Sequence, residues 1–306
     1  NDIVIQTDVL KNDGTLNGNG SNFMEWTPIG SFGTNGEMAY TRTFDGNGHT
    51  ISGLYVNGGS YIGLFGYVGS GGKIQNVGVV DSYISGSVNA GGVCGVNGGT
   101  IENCYNTGTV SGSSAGGVSG YNNGTITNCY NTGAVSGGYA GGVCGYNGGT
   151  ITNCYFLSGT ATGGIGSSDG TVNDVEEKTS EQFVSGEAAW LLNGASVGAW
   201  LQDMKNNMPV LIDNLPEGVA EEDCKNPVRI TIKKSDKTEE YGYTTEGSIL
   251  AAYPEGYLFF EDSYYNTRID TSEKKYTADT TIYAAKAVDS ITFNKTELSL
   301  YVGGEE

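Results

Sequence analysis

The sequence is poor in positive charge and in histidine. Its 306 residues contain 15 lysines and arginines against 34 aspartates and glutamates, which gives a formal net charge of −19, and one histidine. This charge argues against nucleic-acid binding, because few cations are present to neutralise phosphates. Anionic membrane surfaces are disfavoured for the same reason. No apolar run approaches the roughly 20 residues of a membrane-spanning helix, so we expect no membrane insertion in this segment.

Charge is almost absent from the middle of the chain. Between Thr50 and Ser168 the only charged residues are Lys73, Asp81 and Glu102. Hydrolases and lyases that act on polysaccharides need clustered carboxylates, basic side chains or histidine for acid–base chemistry. We therefore predict that the chain is not an enzyme.

Good helix formers are also scarce between Gly91 and Phe156, where the sequence repeats with a period of 25 residues. The copies begin at Gly91, Gly116 and Gly141, and a longer, more divergent copy begins at Ile62. Self-similarity at a short fixed period is typical of a solenoid. Short β-prone segments alternate with Asn-Gly and Gly-Gly pairs that suit turns. The sequence therefore predicts a mainly β fold, a right-handed parallel β-helix with coils of about 25 residues.

The segment Thr-Ile-x-Asn-Cys-Tyr in each copy predicts which side chains face the core. Ile101 and Cys104 are three residues apart, so strict alternation cannot point both inward. A left-handed bend at Asn103 resets the alternation, so that Ile101 and Cys104 face the core while Glu102 and Tyr105 face solvent. Because coils stack about 4.8 Å apart, equivalent residues should form ladders. The predicted ladders are Ile74/Ile101/Ile126/Ile151, Asn76/Asn103/Asn128/Asn153, Val77/Cys104/Cys129/Cys154 and an outward Tyr105/Tyr130/Tyr155.

The six cysteines allow two interpretations. A buried ladder of small apolar thiols explains Cys104, Cys129 and Cys154. Cys94 and Cys144 share a repeat position two coils apart, which is beyond the reach of a disulfide. We favour free thiols, and a bridge across one coil, Cys94–Cys104 or Cys144–Cys154, is the alternative.

The repeats resemble a known family. The pattern GG(V/L)xGxNxGTIxNCYNTGxVSG resembles the GLUG repeat of bacterial cell-surface proteins. Segments 26–30 and 44–54 resemble the sequence that usually precedes such repeats, so the resemblance extends over residues 25–212. It implies an extracellular β-helix of an adhesin-like protein, at the bacterial cell surface or secreted, and it implies no particular ligand.

We predict five parts along the chain. They are an N-terminal cap with the first strands (1–45), the β-helix (46–170), a C-terminal cap with short helices (171–222), a small β-rich module (223–287) and the truncated start of another domain (288–306). Segments Ile3–Ile5 and Met24–Trp26 should anchor the first cap. In the second cap, Thr179 and Ser185 are good N-caps for two short helices. Three large side chains should seal the last coil: Trp190, Leu191 and Trp200.

The C-terminal third resembles two further kinds of surface module. Segments 253–259 and 276–284 are similar to the Listeria–Bacteroides repeat, which implies a small β-grasp-like fold. The sequence departs from that family where Glu261-Asp-Ser-Tyr and Ala285-Lys-Ala replace tryptophan-containing segments. Residues 289–304 resemble the opening strands of a bacterial Ig-like domain of the second type. Because such a sandwich takes about 100 residues, we expect the natural protein to continue.

The leading functional hypothesis is a non-catalytic extracellular module of a bacterial surface protein, acting as a spacer or an adhesin and as a monomer. The alternative is a carbohydrate-binding module, because aromatic rings stack on sugars and solenoids offer extended surfaces. Its partners would be host or microbial glycans or surface proteins. The candidate stacking residues are Tyr105, Tyr130 and Tyr155, with Tyr121 and Tyr146 on a neighbouring face.

We expect no cofactor and no metal site. The turn from Asp45 to His49 superficially resembles a calcium loop but lacks its further acidic positions, so we interpret it as a glycine-rich turn. Acidic residues of the C-terminal half could hold calcium between modules, but a solvated surface is the favoured interpretation. They include Glu176, Glu177, Glu181, Glu221, Glu222 and Asp223.

Overall fold

The centre of the molecule is a parallel β-solenoid of about five turns, which confirms the predicted fold class. The computed structural model describes residues 1–32, 38–194, 198–213, 215–216 and 218–287, and the Ig-like start predicted for residues 288–306 lies outside the described residues. The coils build three parallel sheets. We name them face 1, face 2 and face 3, in the order in which a coil passes through them.

The strands of each face stack in order along the solenoid axis. Face 1 contains Phe65–Val68, Cys94–Asn97, Ser119–Asn122, Cys144–Asn147 and Ile165–Ser168. Face 2 contains Ile3–Val4, Thr43–Asp45, Thr50–Ser52, Lys73–Val80, Thr100–Asn106, Thr125–Thr127, Tyr130–Asn131, Thr150–Leu157 and Thr171–Lys178. Face 3 contains Tyr55–Asn57, Tyr61–Ile62, Tyr83–Ser85, Asn89–Gly91, Thr109–Gly116 and Val135–Gly141.

The bend at the repeated asparagine is confirmed. Asn103 has a φ of 51°, and Asn76, Asn128 and Asn153 have nearly the same value. Ile101 pairs in register with Ile74 on one side and with Ile126 on the other. The isoleucine ladder and the Val77/Cys104/Cys129/Cys154 ladder are both buried in one apolar core. The left-handed conformation of this asparagine in each coil therefore allows two residues of face 2 that are three positions apart, such as Ile101 and Cys104, both to point into the core.

Two further asparagine ladders are buried inside the solenoid. The Asn97 amide donates to the Asn122 carbonyl oxygen at 2.8 Å, and the Asn122 amide donates to Asn147 at the same distance. A second ladder joins Asn106 to Asn131, also at 2.8 Å. All five side chains are fully buried. Asn122 both accepts and donates along the axis, and backbone groups complete the bonding of the end members: the Asn97 side-chain oxygen accepts from the Gly99 N–H, and the Asn131 amide donates to the Gly133 carbonyl oxygen. Polar groups that would be costly in the interior are thus satisfied.

The repeated glycines allow face 1 and face 3 to approach closely. A Cβ added at Gly95 would lie 2.6 Å from the backbone nitrogen of Ile62, and one added at Gly120 would lie 2.6 Å from that of Ala90. These glycines belong to face 1, and the atoms that they approach belong to face 3. Any larger residue would force the two sheets apart, which explains why glycine recurs at this position.

All six cysteines are buried free thiols, as favoured from the sequence. Cys94 and Cys144 both pair with Ser119, one on each side, so they are two coils apart. Burial raises the pKa of the Cys94 thiol to about 12 and that of Cys224 to about 11. Both thiols are therefore protonated at neutral pH, and thiols in this form are poor nucleophiles.

The predicted anchors of the N-terminal cap are partly wrong. Ile5 and Trp26 are half-buried against the core, as predicted. Ile3, Val4 and Met24 are exposed. The strand Ile3–Val4 is held at the edge of face 2 by backbone pairing. Its side chains therefore need no apolar contact to keep it in place.

The last coil is not sealed by the predicted tryptophans. Its face 2 strand, Thr171–Lys178, pairs on one side only within the described part of the chain, and Val172 is exposed. Trp200 packs instead on the outer side of face 2, and Trp190 contacts the C-terminal module. The edge strand carries Glu176 and Glu177, whose charges oppose pairing with another chain.

Two short helices follow this edge strand. Helix α1 (Ser180–Val184) begins with the predicted N-cap Thr179, which forms a reciprocal capping box with Gln182. The N-cap of helix α2 (Glu187–Leu192) is Gly186, one residue later than the predicted Ser185, because Ser185 is the C-cap of α1. An antiparallel sheet then forms from Trp200–Asp203, Met208–Leu211 and Cys224–Lys225, next to a 3-10 helix at Glu221–Asp223.

The C-terminal module is a mixed four-stranded sheet with a small second sheet. The strands Glu239–Thr245, Pro227–Lys234, Thr280–Lys286 and Tyr257–Phe260 lie side by side in that order, and the central pair is parallel. The second sheet pairs Ser248–Ile249 with Lys275–Tyr276. Arg229 joins this module to the helical cap, since its guanidinium lies 4.3 Å from the ring centroid of Trp190. The similarity to the Listeria–Bacteroides repeat stays a prediction.

Removing one rung of the buried asparagine ladder should destabilise the solenoid. In Asn122→Ala, the amide of Asn97 and the side-chain carbonyl oxygen of Asn147 each lose their hydrogen bond along the ladder. We expect a loss of at least about 2 kcal/mol in the free energy of unfolding by urea. The control Asn123→Ala changes an exposed neighbour and should stay within about 0.5 kcal/mol of wild type. Equal losses in both variants would contradict a structural role for the ladder.

The buried thiols should be unreactive until the protein unfolds. At mildly alkaline pH we expect Ellman's reagent to titrate none of the six thiols in the native protein and all six in concentrated guanidinium. Fewer than six in the denatured sample would reveal a disulfide. Unfolded thiols ionise near pH ~8.5, and burial raises the pKa of five folded thiols, those of Cys94, Cys104, Cys129, Cys144 and Cys224. Stability should therefore fall as the pH rises above ~8.5.

Candidate functional surface

The five tyrosines proposed from the sequence fall into two separate sets. Tyr105, Tyr130 and Tyr155 are in register on face 2, and the rings of Tyr105 and Tyr130 stack with centroids 5.0 Å apart and planes inclined by 3°. Tyr121 and Tyr146 are in register on face 1, also 5.0 Å apart. The predicted register of Tyr105, Tyr130 and Tyr155 is therefore confirmed, and ring stacking is present between Tyr105 and Tyr130 and between Tyr121 and Tyr146.

The face 2 tyrosines are buried, so the prediction that they face solvent is wrong. Tyr105 is 5% exposed, and Tyr130 and Tyr155 are each 2% exposed. Phe183 of α1 and Trp200 pack on the stack from outside the solenoid. The rings do point out of the coil, but the chain beyond the repeats returns to cover them. They cannot meet a sugar unless that cover is displaced.

Two polar contacts fix the cover in place. The Tyr130 hydroxyl donates a hydrogen bond to the carbonyl oxygen of Pro209 at 2.9 Å. The ammonium group of Lys178 lies 5.4 Å from the ring centroid of Tyr155 and bonds to Glu176 and Glu187. Burial raises the pKa of all three ladder tyrosines, so their hydroxyls are protonated at neutral pH.

The face 1 tyrosines remain accessible. Tyr121 and Tyr146 are half-buried. Tyr67 lies in the same row of residues on face 1, and the buried Val96 separates it from Tyr121. The Tyr146 hydroxyl donates to the carboxylate of Asp169, and this bond raises the pKa of Tyr146. Tyr67 was not among the predicted binding residues, although alignment of the divergent copy with the later ones places it at the same repeat position.

Rows of threonine border this aromatic surface. The outward positions of face 2 just after the turn from face 1 hold half-buried hydroxyls. They are Thr100, Thr125, Thr127, Thr150 and Thr152, all in register with their neighbours above and below. Hydroxyls donate and accept hydrogen bonds. The accessible surface is thus polar with few charges, the Lys73–Glu102 ion pair and the Asp169 carboxylate, and it has aromatic rings along one side.

The few charged residues of the coils have structural partners. Lys73 forms an ion pair with Glu102 on the adjacent strand at 2.8 Å. The Asp81 carboxylate accepts hydrogen bonds from the backbone N–H groups of Val9 and Leu10. These contacts hold an N-terminal loop and a pair of coils in place.

The turn that begins at Asp45 is held by hydrogen bonds within the fold. The Asp45 carboxylate accepts hydrogen bonds from the Asn47 backbone and from the side chains of Gln75 and Asn76. Across the described ranges, no group of three or more His, Cys, Asp or Glu side chains is arranged to hold a metal ion. No helix in the described part of the chain is long and apolar enough to cross a membrane.

Comparison with known proteins supports the resemblance for part of the repeat region. Residues 86–111 match the family described as the GLUG motif. The chain is 43% identical over 79 residues to halomucin of Haloquadratum walsbyi, and 34% identical over 83 residues to a putative Gly-rich membrane protein of Evansella cellulosilytica. These alignments cover 25% and 26% of this chain, but 1% and 9% of the two relatives. No solved structure matches the chain.

Removing Trp200 should uncover the face 2 tyrosines. Trp200→Ala removes edge contacts to the rings of Tyr105 and Tyr130, and we expect a loss of about 3–5 kcal/mol in the free energy of unfolding. In an alkaline absorbance titration, the uncovered tyrosines should ionise at lower pH than in wild type, because exposure removes the cause of their raised pKa. Tyr264→Ala, at an 82% exposed position, is the control and should change neither property. Unchanged stability in Trp200→Ala would contradict the covering role.

Proposed function

We propose that this chain is a non-catalytic module of a cell-surface protein, with the solenoid acting as a spacer or adhesin. One observation carries the proposal: the buried asparagines and the charged residues of the coils are used to hold the fold together. The asparagine amides bond along the axis, Lys73 bonds to Glu102, and Asp81 holds a loop. Catalysis needs groups free to act on a substrate, and this use of the coil residues favours a structural role.

The relatives support placement at a cell surface. One is named a membrane protein and the other halomucin, and the matched GLUG motif lies within the coils. The outer faces between Thr50 and Ser168 carry only three charged residues. A long, neutral surface of this kind suits a segment that separates other parts of a larger protein or presents them to a partner.

The location can be tested on intact cells of the source organism. Fab fragments raised against residues 46–287 should label unpermeabilised cells, or recover the protein from the culture medium. A cytoplasmic protein of known location serves as the control for cell lysis. Labelling only after permeabilisation would contradict the proposed location.

A second candidate function is binding of neutral carbohydrate along face 1. The accessible, stacked pair of Tyr121 and Tyr146 supports it. Sugars present apolar C–H faces to aromatic rings and hydroxyls to polar side chains, and the rings here lie next to threonine rows. The net charge of −19 favours neutral over acidic polysaccharides.

The candidate predicts that the face 1 tyrosines contribute to affinity. Gels containing mannan, xyloglucan or laminarin should retard the wild-type protein. Tyr121→Ala combined with Tyr146→Ala should weaken retardation about tenfold, since each aromatic contact contributes about 0.5–1.5 kcal/mol. Tyr139→Ala, at a 54% exposed position on face 3, is the control. Carbohydrate binding along face 1 is refuted if no gel retards the wild-type protein, or if the double tyrosine variant is retarded as strongly as wild type.

A further inference from the structure

An aromatic groove lies at the N-terminal end of face 1. Residues 25–32 run beside the turn 57–62, and together they enclose a groove of about 550 Å³. Backbone hydrogen bonds from Trp26 to Tyr55 and from Ile29 to Leu64 hold the two segments side by side. The volume lies within the range of about 300–1,000 Å³ that is usual for ligand sites.

Two aromatic rings are exposed in this groove. Phe32 is 56% exposed and Tyr61 is 36% exposed, with their ring centroids 5.4 Å apart. Phe32 also meets the ring of Tyr67 edge-on, at 5.2 Å. The rings thus support one another, so the apolar surface that they present to solvent is preformed.

The rim of the groove is polar and nearly uncharged. The side chains of Asn57 and Ser60 are exposed beside the two rings. Glu25 is the only charged residue among the described residues that line the groove. Neighbouring rings with amide and hydroxyl groups fit the alternating apolar faces and hydroxyls of a sugar. The described lining has one carboxylate and no basic side chain to pair with an anion, which disfavours an acidic ligand.

We infer that this groove binds a neutral oligosaccharide and is the main binding site for such ligands on the solenoid. The inference rests on the carbohydrate-binding candidate for the class of ligand and adds the site. Tyr67 contacts Phe32 and occupies the same repeat position as Tyr121 and Tyr146. A linear saccharide held in the groove can therefore continue along face 1 towards that tyrosine pair.

The test compares three sets of substitutions in the full chain. Phe32→Ala with Tyr61→Ala removes the exposed rings of the groove, and Ser60→Arg obstructs it without removing a ring. Tyr121→Ala with Tyr146→Ala alters the distal pair. Tyr139→Ala is the matched control, because Tyr139 is a 54% exposed tyrosine on face 3. Circular dichroism and size-exclusion chromatography check that each variant is folded.

Affinity is measured by calorimetry with oligosaccharides of mannan, xyloglucan and laminarin, and with oligogalacturonate as an acidic comparison. We expect wild type to bind at least one neutral oligosaccharide, the distal variant to lose about tenfold in affinity, and both groove variants to lose more than the distal variant. Tyr139→Ala should match wild type.

Other results would overturn the inference in distinguishable ways. If the distal variant loses binding and both groove variants keep it, the groove assignment is wrong and the carbohydrate-binding candidate stands. If no neutral oligosaccharide binds, both fail. Binding of oligogalacturonate alone would refute the ligand class. Concentration-dependent association that the groove variants abolish, without sugar binding, would show that a second copy of the chain occupies the groove.

Discussion

In-register parallel pairing of the coils is the constraint on which the structure depends. Each residue of a coil lies directly above and below its counterparts, so a side chain at one repeat position mainly meets copies of itself. Isoleucine, asparagine, cysteine and tyrosine all tolerate this arrangement, since their groups pack or hydrogen-bond with identical groups. Lysine and glutamate do not, because like charges at this spacing repel. The near absence of charge from the coils follows from the same pairing.

The same constraint explains how much of the fold could be predicted. The spacing between Ile101 and Cys104 was sufficient to infer the bend at Asn103, and from it the contents of the core. The buried ladders of Asn97 and Asn106 were missed, because asparagine beside glycine is also typical of an exposed turn. The contact of Gly95 with face 3 was missed for a similar reason. A glycine in a repeat is more readily interpreted as a turn residue than as a site of close packing between sheets.

The candidate site was less predictable because it depends on segments outside the repeats. The alternation of inward and outward side chains within one coil correctly placed Tyr105 outside the core. It could not indicate that Trp200, 95 residues further along by the numbering, returns to cover it. The groove likewise brings Phe32 to Tyr61 across chain that has no repeat pattern. Local alternation determines the side of a strand on which a residue lies, and only tertiary packing determines whether that side meets water.

The asparagine ladder also limits how the sequence of these coils can change over time. A new side chain at Asn122 must suit Asn97 and Asn147 together, and both of those have the same requirement for their own neighbours. A single substitution is therefore unfavourable at a position where the same substitution in every coil could be neutral. Copying one whole coil over another meets this condition in one step, whereas independent point changes do not. The close similarity of the three copies is what such joint replacement would leave behind.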